Sequence, residues 1–310
     1  MAFAAQILAW VRVIENPAKG EKMSAGADPK IGVALGGGAA RGLIHIPFIE
    51  AMDELGLQPA KIAGTSIGAL LGAGWAAGLK GKEIREFSYE YLGSMRSILG
   101  RIWKTRLKNL SSVMRKTMTM QLDACEVINS FIPDIVPKEF EELNIEFSTI
   151  ATDFQTWHQV VFSHGELIPA IASSIAIPSI FKPVEFSGRL LIDGSVVNPL
   201  PLDVAGRNMD LLVGIDVNGS PAELEEEYDN PSLIDVGLGS AQILMHGLIA
   251  NKLADFPPDV YARPKMEIFK SLEFWRVKEI VESGDSDKEF FKRQLAEKVE
   301  DFIVGKKKNF

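Results

Sequence analysis

With 310 residues, 46% of them hydrophobic and 24% charged, the chain is long enough for one large buried core or a core with a smaller lobe. A net charge of −8 excludes nucleic acid as the main partner, because neutralising phosphates takes a basic surface. The only cysteine, Cys125, excludes an internal disulfide framework, fits a reducing compartment, and reads as a small buried side chain rather than a reactive thiol.

Residues 1–29 read as an N-terminal amphipathic helix and linker. Phe3, Ile7, Trp10 and Ile14 fall on one helical stripe, while Arg12 and the lack of a basic leader argue against a signal peptide. Spacing leaves two readings open, a helix docked on the domain and a membrane-surface anchor, of which docking is preferred. Lys30 to Leu35 predicts the first buried strand. Gly36-Gly37-Gly38 ends it, and Ala39 to Leu55 carries helical spacing through Leu43, Ile46, Ile49, Met52 and Leu55.

Lys61-Ile62-Ala63 predicts a second strand, running into Gly64-Thr65-Ser66-Ile67-Gly68 and then an apolar helix. Ile62 to Leu79 holds no charged residue over eighteen positions, the length of a membrane span. Its five glycines point instead to a buried strand, a sharp turn and a core helix with Gly68, Gly72 and Gly78 on close-packed faces. Tyr91 to Leu122 has no acidic residue and seven basic ones, interleaved with Met95, Met114, Met118, Met120 and Trp103. It reads as a lid-like insertion drawn to anionic lipid, against the plainer reading of a solvated helical insertion.

Further strands are predicted at Ile145–Thr152, Gln159–Ser163, Arg189–Ile192 and Leu211–Val217. Ser220 to Pro231 reads as an acidic surface loop. Leu233 to Phe256 reads as a helix, Val260-Tyr261 as a short strand, and Leu272 to Ile303 as one or two closing helices before a frayed Lys306-Lys307-Lys308 tail. Strand and helix alternation with near-continuous apolar strands implies an α/β class with a mainly parallel sheet covered on both faces.

The chemistry concentrates at the strand ends. Glycines flanking Ser66 allow a strand-to-helix elbow that holds the hydroxyl at a helix N-terminus, poised to attack a carbonyl; the plainer reading is a tight turn with a capping serine. Gly36, Gly37 and Gly38 offer successive unobstructed amides to an anion, either a phosphate or a tetrahedral oxyanion. No Gly-Lys-Ser/Thr follows, and Ala39 and Arg41 break a dinucleotide fingerprint. Among the histidines only His246 is placed late enough for a hydrolase triad, and its helical context argues against it; His45 reads as packed on the first helix. Asp193, at a strand end before Gly194, is the better general base, with a turn-capping role as its alternative. No His/Cys/Asp grouping has metal-ligand spacing, and no cofactor is implied.

Leu35 to Gly42, the elbow Gly64 to Gly68, and Asp193-Gly194 together resemble the patatin-like phospholipase family, in its bacterial branch related to the neuropathy target esterase domain. The likeness continues through Ala172–Pro178, Asp193–Pro201 and Pro257–Phe274, so that it covers roughly residues 30 to 285. It implies a three-layer α/β/α acyl hydrolase domain over 30–285; the 91–122 insertion does not match the family's pattern, and 286–310 reads as a C-terminal helix and basic tail. It implies a Ser66–Asp193 dyad without histidine, acting on phospholipids or lysophospholipids through an acyl-enzyme. Gly36, Gly37, Gly38 and Ala39 would carry the oxyanion loop, and Arg41 would orient that loop or meet a phosphate. Ala39 departs from the glycine many members carry, and Ser195 from their glycine or alanine. A cytoplasmic protein with peripheral membrane contact through 91–122 is expected. An acyltransferase using the same dyad, and a silent lipid-binding member of the fold, remain as alternatives.

Overall fold

A computed structural model describes residues 28–93, 121–219, 233–266 and 269–308. The first strand, β1 (Ile31–Leu35), leads through the glycine turn into a 3-10 turn (Ala39–Ile44) and helix α1 (His45–Glu54). Then come β2 (Lys61–Thr65), α2 (Ile67–Ala76), α3 (Gly81–Leu92) and α4 (Ala124–Phe131). Next are β3 (Glu146–Asp153), β4 (Gln159–Phe162), α5 (Leu167–Ser174), β5 (Val184–Phe186) and β6 (Arg189–Asp193). The chain closes with α6 (Leu202–Ala205), β7 (Leu211–Ile215), α7 (Leu233–Asp255), β8 (Val260–Ala262) and α8 (Val277–Lys308).

The strands make one sheet in the order β5-β6-β3-β2-β1-β7-β8, with β4 paired to β3. Neighbours from β3 to β8 run parallel, whereas β4, β5 and β6 add antiparallel pairs at one end. Alternating side chains feed two cores, as the two-residue period of a strand requires. Ile31, Val33, Leu35 and Ile62 enter the larger one, beneath α1, α2 and α8. Ala34, Ala63 and Ile150 enter the smaller one, with Leu202, Val204 and Ala205 of α6 and Ile249 of α7. The protein is therefore a three-layer α/β/α fold with a mainly parallel sheet.

Several expectations are corrected. The helix expected from Ala39 is α-helical only from His45. Ala40 N–H bonds Ser271 O and Arg41 N–H bonds Gly38 O, so the first turn follows a tighter spacing, and Pro47 supplies no amide to extend an α-helix backwards. α2 stops at Ala76, and Gly78 (φ 107°) belongs to the turn after it rather than to a packed helix face. β5, α3, α4, α5 and α6 are not among the elements expected from sequence, although α3 and α4 carry N-terminal caps at Lys80–Glu83 and Asp123. α8 passes unbroken through residue 286, where a boundary was expected, and its backbone stays helical through Lys306-Lys307-Lys308.

Burial explains the length of α8. Ile280, Val281, Phe291, Leu295 and Val299 join the main core, and Phe291 meets Phe48 edge-on at 5.0 Å. Above that contact Arg85 bridges Glu50 (2.6 Å) and Asp285 (2.7 Å), while Lys288 reaches Glu50 at 3.0 Å. The stripe of residues 1–29, most of the 91–122 insertion and the acidic loop from Ser220 to Pro231 lie outside the described residues.

Candidate active site

The parallel strands β1, β2, β3 and β7 end on one edge of the sheet, where their connections converge. At the end of β2 the chain turns into α2 at Ser66, whose φ of 54° and ψ of −122° lie in a region that L-residues rarely occupy. Two glycines make that turn possible. A Cβ on Gly64 would lie 2.4 Å from Gly68 O, and one on Gly68 would lie 2.2 Å from Leu35 O. Ser66 N–H is held by Ser174 Oγ at 2.9 Å, and its carbonyl accepts from Ala69 and Leu70 at the start of α2.

Asp193 reaches Ser66 through strand register. β3 pairs with β2 up to Ile150↔Thr65, and the next residue, Ala151, pairs with Asp193 of β6. β4 occupies the opposite edge of β3 over the same residues, so β6 takes over the edge that β2 vacates at the elbow. The carboxylate thus arrives beside the serine. Ser66 Oγ donates to Asp193 Oδ2 at 2.6 Å, Ser195 N–H donates to Asp193 Oδ1 at 2.8 Å, and both dyad side chains are 4% exposed. Burial pushes the Asp193 pKa above the usual carboxylate value, against the opposing pull of the hydrogen bonds from Ser66 and Ser195.

The glycine turn lies against this pair, since a Cβ on Gly37 would come within 3.4 Å of Ser66 Cβ. Gly36 N–H donates to Ile215 O (3.0 Å) and Gly37 N–H to Pro199 O (2.9 Å), so both amides expected to face an anion are already committed. The amides of Gly38 and Ala39 have no acceptor among the described residues. Arg41 donates from Nε to Phe269 O at 2.7 Å and holds Nη1 3.5 Å from Asn218 O, tying the turn to the end of β7 and the segment before α8.

Three further polar groups organise this site: His45, which the sequence reading placed as packed on the first helix, and Ser174 and Asn218, which it passed over. His45 is fully buried, and its Nε2 lies 2.8 Å from Gly36 O. A carbonyl only accepts, so the proton sits on Nε2. Burial lowers the His45 pKa to about 4, which keeps the ring neutral. Ser174 holds the elbow amide, and Asn218 forms part of the cavity wall. Ser174 and Asn218 each stand near other small polar residues beside an apolar run, and nothing local in sequence marks them. His246 lies on α7 against Arg263 (3.2 Å) and does not line the cavity. Cys125 is half-buried against the core, with its thiol pKa raised by burial and Asp123.

Ser66, Asp193, Gly38, Ala39 and Arg41 border a cavity of about 160 Å³. Ile177 and Val196 form part of its apolar wall, and α7 supplies Leu238, Leu244, Met245 and Leu248. Among the described residues no three His, Cys, Asp or Glu side chains cluster as a metal site, and no helix is long and apolar enough to cross a membrane.

The family model for patatin-like phospholipases matches residues 33–205, more than half of the chain, including Ser66, Asp193 and the glycine turn. The chain belongs to the patatin-like phospholipase family. An uncharacterized NTE family protein of Mycobacterium tuberculosis H37Rv is 36% identical over 198 residues, covering 63% of this chain and 51% of that protein. Lysophospholipase NTE1 of Candida glabrata is 23% identical over 86% of this chain and 16% of its own length. The neuropathy target esterase sws of Drosophila melanogaster is 30% identical over 56% of this chain and 12% of its own length. This patatin-like chain thus spans about half the length of its mycobacterial relatives and far less of the esterases. Among solved structures, VipD from Legionella pneumophila aligns over 91% of this chain and 72% of its own, with a TM-score of 0.45 and 14% identity.

Proposed function

We propose that this patatin-like protein is a serine acyl hydrolase acting on lipid esters of the phospholipid or lysophospholipid class. The 2.6 Å hydrogen bond from Ser66 to Asp193 carries the reading. A buried carboxylate with a raised pKa is a stronger base than one in water, and here it accepts directly from the hydroxyl. Ser66 Oγ attacks the ester carbonyl carbon as Asp193 takes its proton. The oxygen that becomes negative is received by the Gly38 and Ala39 amides, the two of the expected Gly36–Ala39 loop whose N–H groups are not already committed. Each such donor is worth on the order of 3 kcal/mol in a water-poor site. Asp193 then protonates the departing alkoxide, and a water activated by the same carboxylate releases the fatty acid from Ser66.

The apolar wall from α7 suits an acyl chain. Leu244 both lines the cavity and is 71% exposed, with Ile243 beside it at 73%, so an apolar path runs from solvent to the dyad. The relatives named lysophospholipase favour glycerolipid esters within this class. Arg41, by joining the glycine turn to neighbouring carbonyls, acts as the orienting residue of the donor loop.

The test is hydrolysis of p-nitrophenyl butyrate and lysophosphatidylcholine, together with labelling by a fluorophosphonate. The wild type is expected to turn over both and to label at Ser66, whereas Ser66→Ala loses turnover by at least ~10³-fold and does not label. Turnover retained in Ser66→Ala would refute the proposal.

A further inference from the structure

One hydroxyl on the cavity wall takes no part in the attack on the ester, that of Ser195. Its residue sits in the 3-10 turn (Gly194–Val196) that follows β6, and it is 9% exposed, against 4% for Ser66 and Asp193. The Ser195 backbone N–H donates to Asp193 Oδ1 at 2.8 Å, while Ser66 Oγ takes the other oxygen, Oδ2, at 2.6 Å. The Ser195 hydroxyl acts on the same carboxylate as a further donor. An ionised carboxylate only accepts, so the direction of that bond is fixed. Asp193 thus receives hydrogen bonds from Ser66 Oγ, Ser195 N and Ser195 Oγ, and all of them favour its ionised form against the cost of burial.

On its other side the Ser195 hydroxyl meets the glycine turn. A Cβ on Gly37 would lie 2.1 Å from Ser195 Oγ and 3.3 Å from Ser195 Cβ, with Ser66 Cβ at 3.4 Å. The bare Cα of Gly37 therefore faces both serines, and the Gly37 N–H is itself pinned to Pro199 O at 2.9 Å. Glycine or alanine at position 195 would keep the amide bond to Asp193 and supply no hydroxyl. The neighbouring charged groups are engaged elsewhere. Arg41, on the same cavity wall, donates to Phe269 O and holds Nη1 3.5 Å from Asn218 O. Asp153 of β3 is held by Arg189 at 3.1 Å and by the amides of Gln155 and Thr156. His45, behind the turn, bonds Gly36 O. The hydrogen bonds that reach the Asp193 side chain come from the two serines.

Building on Ser66 as nucleophile, we propose that Ser195 is a positioning residue of the dyad: its hydroxyl, wedged between the carboxylate and Gly37, keeps Asp193 charged and aimed at Ser66. A carboxylate that loses this donor holds its proton to a higher pH, and a protonated Asp193 cannot take the proton of Ser66. Ser195 therefore widens the pH range of the base toward the acid side.

The experiment measures kcat/KM for p-nitrophenyl butyrate along the acid limb of the pH profile in the wild type, Ser195→Ala and Ser195→Gly. In parallel, carbon-13 NMR of protein labelled at the aspartate carboxyls follows the titration of Asp193 itself, its signal assigned by its loss in Asp193→Asn. Both Ser195 variants are expected to raise the midpoint of the limb and of the NMR titration by roughly 0.5–1 pH unit, a ~3–10-fold loss of kcat/KM on the acid side. A midpoint is read independently of plateau height, so a general loosening of the site does not mimic the shift. Midpoints that stay at the wild-type value in both variants, alongside Ser66-dependent turnover, overturn the assignment and leave the hydrolase reading intact. A loss of rate that is equal at every pH overturns it as well. An NMR midpoint that rises in the variants, in a protein without Ser66-dependent turnover, supports the hold of Ser195 on the carboxylate and overturns the hydrolase reading instead.

Discussion

Replacing Gly68 by alanine tests whether close backbone contact between the elbow and the glycine turn holds the active site together. The new methyl would lie 2.2 Å from Leu35 O, 2.7 Å from Leu35 C and 2.8 Å from Gly36 O, all of them backbone atoms that no rotamer change can move. An ordinary carbon–oxygen separation is about 3.3 Å, so β1 and its turn must retreat from α2 by roughly 1 Å. Overpacking of this kind costs about 1–3 kcal/mol, a fall in Tm of roughly 2–8 °C for a chain of this size. Catalysis should suffer more. A 1 Å misplacement of the donor loop relative to Ser66 corresponds to ~100-fold in kcat, with KM changed less. Steady-state hydrolysis of p-nitrophenyl butyrate and a thermal melt measure the two effects. Gly74→Ala is the control on the same helix, because its methyl would meet only Leu79 Cδ1 at 3.5 Å, an ordinary contact. Gly68→Ala with kcat within twofold of wild type would refute the reasoning.

Asp193→Asn should abolish hydrolysis and yet melt no lower than the wild type at pH 8. Burial raises the Asp193 pKa, so its stabilising contribution is complete below the unfolded carboxylate pKa and is lost as pH rises through the folded value. Above that value the carboxylate is a net cost that asparagine does not bear. A lower melting temperature for Asp193→Asn at pH 8 would contradict this account. In the wild type, kcat/KM should fall with decreasing pH through a limb lying above the ordinary carboxylate range, because the ionised form is the base. His45 acts in the opposite pH direction. Its neutral form is the folded one, so stability is complete above about pH 6.5 and declines as pH falls toward about 4, by on the order of 3 kcal/mol. His45→Gln keeps a donor for Gly36 O and should flatten that decline; unchanged acid sensitivity would rule out His45 as its source.

Gly64-Thr65-Ser66-Ile67-Gly68 was legible as an elbow from sequence because its geometry depends on local backbone freedom and short-range contact. The end of β6 was legible because an apolar run stops at Asp193-Gly194. What those stretches do not contain is the register on β3, where β6 continues the edge that β2 leaves and so brings a carboxylate to a serine 127 positions away. Which amides of the Gly36–Ala39 turn stay available was not legible for a related reason. Gly36 and Gly37 are occupied by Ile215 and Pro199, distant carbonyls that no local pattern announces. Ser174 and Asn218 escaped notice because a polar residue beside an apolar run acquires meaning only from what faces it, whereas His45, expected to pack on the first helix, is indeed buried there. Local sequence determined the strand ends, the strained turn and the positions of Ser66 and Asp193 at those ends, since these depend on neighbours along the chain. Tertiary structure alone decided which amides stay unpaired and how Ser66 meets Asp193, because hydrogen bonds are distributed among groups that only folding brings within 3 Å.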